Sequence, residues 1–386
     1  MQHSVSQSVD ELLSGDPKDC VAAVQERVQR TLKDRGHSLI LFGSGQLGRV
    51  ALDRLERIGK PPIAFADNNP ALWGTKVGSI PVLAPDEAQA KFPESLFVIT
   101  VYTNAPVKRQ LRDMGAEALT FAELAWCYPD SLLPWSGLDL PDKIWADAKT
   151  VKQTYHLWAD EFSRREFVGQ IGWRSTLESS ALPPHSPVEE TYFPPDLFDF
   201  QPDEVMVDCG AFDGDSIRAF LQRVGNSFKA AVGLEPDPLT RIRFEKWRDS
   251  LSREQAEKIY LLPYATGDKR DILSFESTGT AASALGSGQI KVECLPLDES
   301  VAHFAPSFIK MDIEGAESAT VRGAKGIIRE PQPIVAVCLY HAQEHLWQIP
   351  SLLHSLNPDY RLFLRRYSDE GWELVCYAVP RERCKI

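Results

Sequence analysis

A glycine turn near the middle of the chain is crowded with carboxylates. The run Val205–Asp215 reads V-M-V-D-C-G-A-F-D-G-D, so that Asp208, Asp213 and Asp215 stand among two glycines. Carboxylates packed around a pyrophosphate would repel it, whereas they stabilise a nearby cation. The turn is therefore predicted to bind a cofactor that carries positive charge and no phosphate. S-adenosyl-L-methionine, with its ammonium and sulfonium groups, fits that description better than NAD or ATP.

Two more acids come directly after predicted strands. Glu235 lies 21 residues beyond Gly214, where an acid can accept hydrogen bonds from both hydroxyls of a ribose. Asp312 follows the predicted strand Ser307–Met311, and such strand tips face the crevice that holds the ligand in a doubly wound sheet. Asp312 is therefore the first catalytic candidate, as a base, as an acceptor for a substrate hydroxyl or as a ligand of a divalent cation.

Two further catalytic candidates lie near Asp312 in this scheme. His341 ends the predicted strand Pro333–Leu339, where a neutral imidazole can take the proton of an attacking hydroxyl. Glu314 precedes the next helix, whereas Glu317 is expected only to complement that helix's dipole. A Mg²⁺ site needs several oxygen ligands, so the presence of a divalent cation such as Mg²⁺ stays open.

The elements around the acidic turn must hold the cofactor. A strand before the turn and a helix after it predict the nucleotide-binding half of a doubly wound sheet. Gly210 would let the backbone approach the methionine part of the cofactor. Together with Glu235, the residues predicted to bind the cofactor are Asp208, Gly210, Gly214, Asp215, Tyr264 and Ala265.

An earlier glycine turn has the spacing of a dinucleotide site. Gly43, Gly45 and Gly48 follow the predicted strand Ser38–Phe42, and Asp67 lies 19 residues beyond Gly48 at the tip of a second strand. Glycines in such a turn let the backbone approach a pyrophosphate, and the acid can hold a ribose. The same glycines can also serve only the tight packing of strand on helix. Binding of NAD(P) at this turn is thus one of two open interpretations.

These patterns predict an α/β protein with two doubly wound domains. The first is an N-terminal Rossmann-like domain, and a helical, proline-rich connector joins it to the second, C-terminal domain. The predicted segments are a helical N-terminus at 1–35, the Rossmann-like domain at 36–127, the connector at 128–190 and the second domain at 191–386.

Three ordered motifs carry a resemblance to a known family. Val207–Asp215, Glu235–Asp237 and Ile309–Glu317 resemble the signature motifs of FkbM-type S-adenosylmethionine-dependent methyltransferases, and the resemblance extends over about residues 190–380. Some members similarly carry a Rossmann-like domain before the methyltransferase domain. The resemblance implies a class I methyltransferase fold for the C-terminal domain and O-methylation of a sugar or another small metabolite.

The composition of the chain indicates which classes of binding partner to expect. The net charge of -12 argues against nucleic acid and against an anionic membrane surface. The longest apolar runs are too short to span a bilayer, and seven cysteines without a C-x-x-C pair are typical of a reduced, cytoplasmic protein. The expected partner is a small-molecule acceptor such as a sugar or glycoside, and the sequence does not decide between a monomer and a homodimer.

Three functional hypotheses follow. The leading one is a small-molecule O-methyltransferase whose first domain is accessory. The second is a bifunctional or regulated enzyme that binds NAD(P) or a nucleotide-sugar at the first glycine turn. The third is a non-enzymatic nucleotide-binding module, against which the acid set Asp208, Glu235 and Asp312 argues. The segments 183–200 and 276–290, including Ser283, are expected to shape the acceptor pocket.

Overall fold

The structure is a computed structural model, and it describes residues 8–35, 37–277, 284–285, 288 and 290–386. Ser283 lies outside these residues. By contact, the chain divides into two units. Unit 1 comprises Met1–Ala148, Val168–His185 and Ser368–Trp372, and unit 2 comprises Lys149–Phe167, Ser186–Tyr367 and Glu373–Ile386. Within the described ranges, no helix combines the length and the apolar character needed to span a bilayer.

Unit 1 is built on a mostly parallel sheet. Its strands are β1 (Leu39–Phe42), β2 (Ala64–Ala66), β3 (Lys76–Val77), β4 (Ile80–Leu83), β5 (Leu96–Ile99) and β6 (Ala118–Thr120). Its α-helices are α1 (Val9–Leu12), α2 (Pro17–Arg35), α3 (Gln46–Arg57), α4 (Pro85–Lys91), α5 (Ala105–Asp113), α6 (Phe121–Cys127), α7 (Pro129–Leu132) and α8 (Asp142–Ala146). The strand order is β3-β4-β2-β1-β5-β6, and only the β3–β4 pairing is antiparallel. The predicted Rossmann-like sheet is confirmed.

The first strand shows why this sheet is buried on both faces. Leu39 and Leu41 pack into one hydrophobic cluster, while Ile40 and Phe42 pack into another on the opposite face. An apolar run without polar alternation is typical of a parallel strand covered by helices on both sides. Because side chains alternate along a strand, four consecutive apolar residues are enough to supply both clusters.

The glycine turn after β1 is closely packed. Gly43 has φ +107°, and a Cβ placed on Gly48 would lie 2.0 Å from the Gly43 carbonyl oxygen, so α3 approaches the turn as only a glycine allows. Asp67, directly after β2, accepts hydrogen bonds from the N–H of Ser44 at 2.9 Å and from its hydroxyl at 2.7 Å. Both contacts are internal to the turn. Tight packing therefore accounts for Gly48 without a bound ligand.

Unit 2 contains the longer sheet and most of the remaining helices. Its strands are β7 (Val205–Cys209), β8 (Ala230–Leu234), β9 (Ile259–Leu262), β10 (Ala265–Thr266), β11 (Asp271–Glu276), β12 (Ala284–Leu285), β13 (Ile290–Leu295), β14 (Phe308–Met311), β15 (Ile334–Cys338), β16 (Arg361–Arg366) and β17 (Leu374–Val379). The next helices in the chain are α9 (Ala148–Tyr155), α10 (Glu161–Thr176), α11 (Asp215–Val224), α12 (Pro238–Arg248), α13 (Arg253–Ala256), α14 (Leu297–Ser300), α15 (Glu317–Arg322), α16 (Lys325–Arg329) and α17 (His345–Leu356). Helix α10 is divided, since its residues from Val168 onward belong to unit 1.

The main sheet of unit 2 has the order β16-β17-β15-β14-β7-β8-β9. Strand β17 is antiparallel to both of its neighbours, and the other pairings are parallel. The antiparallel pairing of the last two strands agrees with the sequence, but β17 lies inside the sheet and only β16 forms the edge. The strand order reverses at β7. Such a switch point leaves a crevice between the carboxyl ends of β7 and β14, where ligands of open α/β sheets bind.

A smaller sheet in unit 2 was not predicted. It has the order β10-β13-β11-β12, with an antiparallel β11–β13 pairing. Ala265, Phe275, Val292 and Cys294 form its own small hydrophobic cluster. These strands are short and partly exposed, so their apolar patterns are weak in the sequence.

The packing at the first turn predicts unequal effects of two alanine substitutions. Gly48→Ala should lower the free energy of unfolding by about 1–3 kcal/mol, because its Cβ would press on a backbone oxygen that cannot move away. Gly45→Ala is the matched control, since no atom lies within 4 Å of a Cβ there. Its effect should stay below about 0.5 kcal/mol. Urea unfolding followed by tryptophan fluorescence measures both, and equal losses would contradict the packing interpretation.

Candidate functional site

A cavity of about 240 Å³ lies at the switch point of the main sheet in unit 2. Its walls come from the residues that follow β7, β8, β9 and β14. Of the residues singled out from the sequence, those that line it are Gly210, Asp215, Glu235, Tyr264, Ala265, Asp312 and Glu314. Asp208, Gly214 and His341 are not among the lining residues. The topology therefore brings together side chains that are about 100 residues apart in the sequence.

Two glycines give the acidic turn its shape. Gly210 has φ +79°, and a Cβ there would lie 2.0 Å from the carbonyl oxygen of Asp312, so the turn rests directly on the end of β14. Gly214 has φ +88°, and a Cβ there would lie 2.4 Å from the ring of Trp247. The close contact at Gly210 thus shapes the part of the cavity next to the end of β14. Gly214 instead allows the packing of α11 against α12.

Asp208 contacts a lysine rather than the cavity. Lys310 is its register partner on β14, and the Nζ of Lys310 lies 3.0 Å from Oδ1 of Asp208 and donates to the Gly210 carbonyl at 2.9 Å. Both side chains are almost completely buried. Burial raises the pKa of Asp208 to about 7 against the attraction of Lys310. Although burial also disfavours the charged ammonium, Asp208 raises the pKa of Lys310, which keeps its charge.

Lys310 was missed in the sequence. Its one visible signal is a charged residue inside the apolar strand F-I-K-M, and a lysine on a buried strand needs a partner. Asp208, which the sequence predicts to bind the cofactor, is paired with Lys310 in the structure. Asp208 holds Lys310, and Lys310 itself lines the cavity.

Glu235 is held firmly at the tip of β8. Its Oε2 accepts a hydrogen bond from the N–H of Phe212 at 2.9 Å, and its Oε1 accepts one from the N–H of Asp237 at 2.7 Å. Burial raises the pKa of this carboxyl above its usual value, although both backbone donors act to lower it. Each oxygen retains a lone pair, so this carboxylate can still accept hydrogen bonds from a ligand.

Asp312 is held between two tyrosine hydroxyls. Tyr192 donates to its Oδ2 at 2.8 Å and Tyr340 donates to its Oδ1 at 3.1 Å. Burial alone would raise the pKa of Asp312, but Lys310 and His341 hold it below the usual value. Tyr192 has φ +66°, an uncommon conformation for a residue with a side chain. Tyr192 lies in the segment 183–200 that was expected to shape the acceptor pocket, and it lines the cavity, but its hydrogen bond to Asp312, 120 residues away, was not predicted.

His341 stands between two carboxylates. Its Nδ1 lies 2.6 Å from Oε1 of Glu317, and its Nε2 lies 3.4 Å from Oδ1 of Asp312. Burial favours the neutral ring, but Glu317 and Asp312 raise the pKa of His341 to about 10. The neutral imidazole expected from the sequence is therefore wrong for this arrangement, because two nearby carboxylates keep the ring protonated.

Glu317 lies deeper in the site than the sequence suggested, and Glu314 lies closer to its surface. Glu317 is completely buried, and its Oε1 also accepts a hydrogen bond from the N–H of Ile313 at 2.9 Å. It therefore orients His341, and its expected role as a mere complement to the helix dipole is wrong. Glu314 is 42% exposed, and its Oε2 lies 3.8 Å from Nε2 of His341.

The residues of the first glycine turn belong to unit 1. Gly43, Gly45, Gly48 and Asp67 are accordingly not among the residues that line the cavity of unit 2. Asp67 accepts from Ser44 in the same way that Glu235 accepts from Phe212. This contact is thus common to both turns, and binding of NAD(P) in unit 1 gains no support from it.

The ion pair beneath the cavity predicts a large effect of removing its cation. Lys310→Met should lower the free energy of unfolding by about 3–5 kcal/mol, because Asp208 would stay buried without a partner. The double variant Lys310→Met/Asp208→Asn should recover part of that loss. Lys246→Met, at an exposed position of α12, is the control. Urea unfolding measures all three, and a double variant less stable than Lys310→Met would contradict the assignment.

Comparison with known proteins identifies a family domain in part of the chain and the fold of the chain. Residues 208–370 match the family model described as methyltransferase FkbM domain. The chain is also similar to the crystal structure of methyltransferase FkbM from Methylobacillus flagellatus KT, with a TM-score of 0.73 and 20% sequence identity. That similarity covers 94% of this chain and 100% of the other, and it shows the fold. No curated protein matches the sequence.

Further solved structures are much less similar. Precorrin-6y C5,15-methyltransferase from Geobacter metallireducens GS-15 is 13% identical, with a TM-score of 0.30 over 47% of this chain and 83% of the other. Aeropyrum pernix fibrillarin is 8% identical, with a TM-score of 0.30 over 47% of this chain and 69% of the other. TM-scores this low do not show a shared fold. The match over residues 208–370 identifies an FkbM methyltransferase domain in this part of the chain.

Proposed function

We propose that this protein transfers a methyl group from S-adenosyl-L-methionine to a hydroxyl of a sugar or another small metabolite. The observation that supports the proposal is that Glu235 and Asp312 line the same cavity. One acid stands where a ribose would be held, and the other stands at the end of β14 among tyrosine hydroxyls. A nucleoside cofactor and an acceptor hydroxyl can thus meet at the switch point of the sheet.

The charge of the cavity supports a cationic methyl donor. Asp215, Glu235, Asp312 and Glu314 line it, with Lys310 as a cation already paired to Asp208. An ammonium group and a sulfonium are stabilised by such carboxylates, while a pyrophosphate would be repelled. In this proposal Glu235 accepts from the ribose hydroxyls. The adenine lies by Tyr264 and Ala265, and the methionine part lies over the backbone of Gly210.

The reaction is an in-line displacement. The bond between the methyl carbon and the sulfonium breaks as a bond to the acceptor oxygen forms, the sulfur keeps the electron pair as the thioether of S-adenosylhomocysteine, and the hydroxyl proton passes to solvent. Holding the two reactants in line can lower the barrier by about 7–11 kcal/mol, whereas a positioned base adds about 10²–10⁴-fold. Positioning is therefore the larger contribution. Because the pKa of Asp312 is below its usual value, this carboxylate is a weak base that orients the hydroxyl.

The donor site predicts a loss of affinity in one variant. Glu235→Gln should weaken the binding of S-adenosylhomocysteine by about 10–100-fold, since hydrogen bonds to a charged acceptor contribute about 1.5–3 kcal/mol. Glu245→Gln, at an exposed position of α12, is the matched control and should bind like the wild type. Isothermal titration calorimetry on the full chain measures both. A wild-type chain that does not bind S-adenosylhomocysteine would overturn the proposed function.

Substitution of Asp312, at the end of the cavity where the acceptor is proposed to bind, should affect turnover and not donor affinity. Asp312→Asn should lower turnover by about 10²-fold or more and leave the affinity for S-adenosylhomocysteine within about 3-fold, because Asp312 would orient the acceptor and not the donor. Methyl transfer to a panel of sugars and glycosides, read by mass spectrometry of the product, measures turnover. NMR of the product then locates the new methyl group, and a methyl on nitrogen or carbon would contradict the O-methyl assignment.

A further inference from the structure

We propose that Asp312, Glu314 and His341 bind a divalent transition-metal cation at the acceptor end of the cavity. This inference rests on the proposed function, because the cation would hold the oxygen that receives the methyl group. The proposed ligand set contains one nitrogen, Nε2 of His341. That set differs from the purely oxygen-based Mg²⁺ site considered from the sequence.

The imidazole of His341 lies at distances from two carboxylates that suit a shared cation. Nε2 of His341 lies 3.4 Å from Oδ1 of Asp312 and 3.8 Å from Oε2 of Glu314. Ligand atoms bound at about 2.0–2.2 Å in a tetrahedral site are roughly 3.3–3.6 Å apart. The group Asp312, Glu317 and His341 also offers ligand atoms that all lie within 4.8 Å of one another. Glu314 is not part of that close group, so its 42% exposed side chain would have to turn toward Asp312 for the three proposed ligands to share one ion.

The imidazole is aimed at the two carboxylates by a buried partner. Nδ1 of His341 is bonded to Glu317 at 2.6 Å, and Glu317 is in turn fixed by the N–H of Ile313. Histidines that bind metals commonly donate their other N–H to a carboxylate in this way. The side chain of His341 is only 4% exposed, yet among the described residues its Nε2 has no aligned hydrogen bond. This buried nitrogen faces the carboxylates of Asp312 at 3.4 Å and Glu314 at 3.8 Å, and a bound cation would take the place of the proton between them.

Glu314 is held in place by a strained backbone. Its φ is +53°, in the left-handed region that residues with a side chain rarely occupy. Such conformations cluster at ligand-binding positions, where the surrounding structure maintains them. Within the described part of the chain, no hydrogen bond reaches its carboxylate, which instead faces His341. Packing alone does not explain why this carboxylate is turned toward the ring.

Asp312 is oriented as a ligand would be. Tyr192 and Tyr340 each donate a hydrogen bond to it, one to each oxygen. These bonds fix the plane of the carboxylate and leave a lone pair of Oδ1 on the side of His341. Carboxylates that bind metals are usually held by such outer hydrogen bonds. Asp312, Glu314 and His341 are therefore each held by a neighbour or by the backbone.

The chemistry of the ligands selects the kind of ion. Mg²⁺ prefers oxygen ligands, whereas an imidazole together with carboxylates suits Mn²⁺, Fe²⁺, Co²⁺ or Zn²⁺. Because Asp312 and Glu314 line the cavity, the remaining coordination positions can face the acceptor. A bound cation would lower the pKa of a coordinated hydroxyl. It would thereby supply an activation that a weakly basic Asp312 lacks.

Calorimetric titration of Mn²⁺ into the full chain tests the proposal. We expect one Mn²⁺ per wild-type chain and at least about 100-fold weaker binding in His341→Ala and in Asp312→Asn. Glu317→Gln, which changes the positioning residue and retains the ligands, should weaken binding by about 10–100-fold. His303→Ala, at an exposed position of unit 2, is the matched control and should bind Mn²⁺ like the wild type.

Spectroscopy of the wild-type chain gives a result that needs no variant. Pulsed electron paramagnetic resonance of the Mn²⁺ complex should show coupling to one imidazole nitrogen. Absence of Mn²⁺ binding, or a complex without nitrogen coupling, would overturn the proposal in favour of a proton shared between His341 and Asp312. Titration of S-adenosylhomocysteine into the same sample separates the two hypotheses. A chain that binds this ligand but not Mn²⁺ retains the proposed function and loses the metal site.

Discussion

A buried ion pair on two adjacent strands fixes the geometry of the cavity. Asp208 on β7 and Lys310 on β14 are register partners, and they meet where the strand order reverses. Removing two charges from water costs several kcal/mol for each ion, so neither can be present without the other. Lys310 also donates to the carbonyl of Gly210. The pair therefore ties the acidic turn to the strand that delivers Asp312.

The groups above that pair alternate in charge and hold one another in place. Lys310 lies 4.0 Å from Oδ2 of Asp312, and His341 stands between Asp312 and Glu317. Each acid except Glu314 has a fixed donor, which limits the positions its oxygens can take. A site whose side chains are fixed before the ligand arrives loses little entropy on binding. Such preorganisation suits a reaction whose rate depends chiefly on alignment.

The two glycine turns show that one local pattern can serve two purposes. In each, an acid at the tip of the neighbouring strand accepts a hydrogen bond from a backbone N–H of the turn, Asp67 from Ser44 and Glu235 from Phe212. In each, one glycine is required by a carbonyl oxygen 2.0 Å from its missing Cβ. The difference lies in the surrounding charges. Only the second turn is joined by a buried lysine and by the acids after β14.

Local patterns in the sequence were enough to predict the strand–turn–helix units and the acids at the strand tips. This succeeds because an apolar run, a glycine turn and an amphipathic helix are each encoded within a few consecutive residues. The tips of parallel strands share one edge of a sheet, so the strand pattern alone was enough to assign Glu235 and Asp312 to one cavity.

Only the tertiary structure decided which groups pair and which are buried. Tyr192 reaches Asp312 across 120 residues, Lys310 neutralises Asp208 across a strand pairing, and Glu317 holds His341. No local pattern records such contacts, because they depend on which elements become neighbours after folding. The charge of His341 was misjudged for the same reason. The pKa of a buried group is set by its desolvation and by charges brought near it in space. The residues next to it in the sequence determine neither of these.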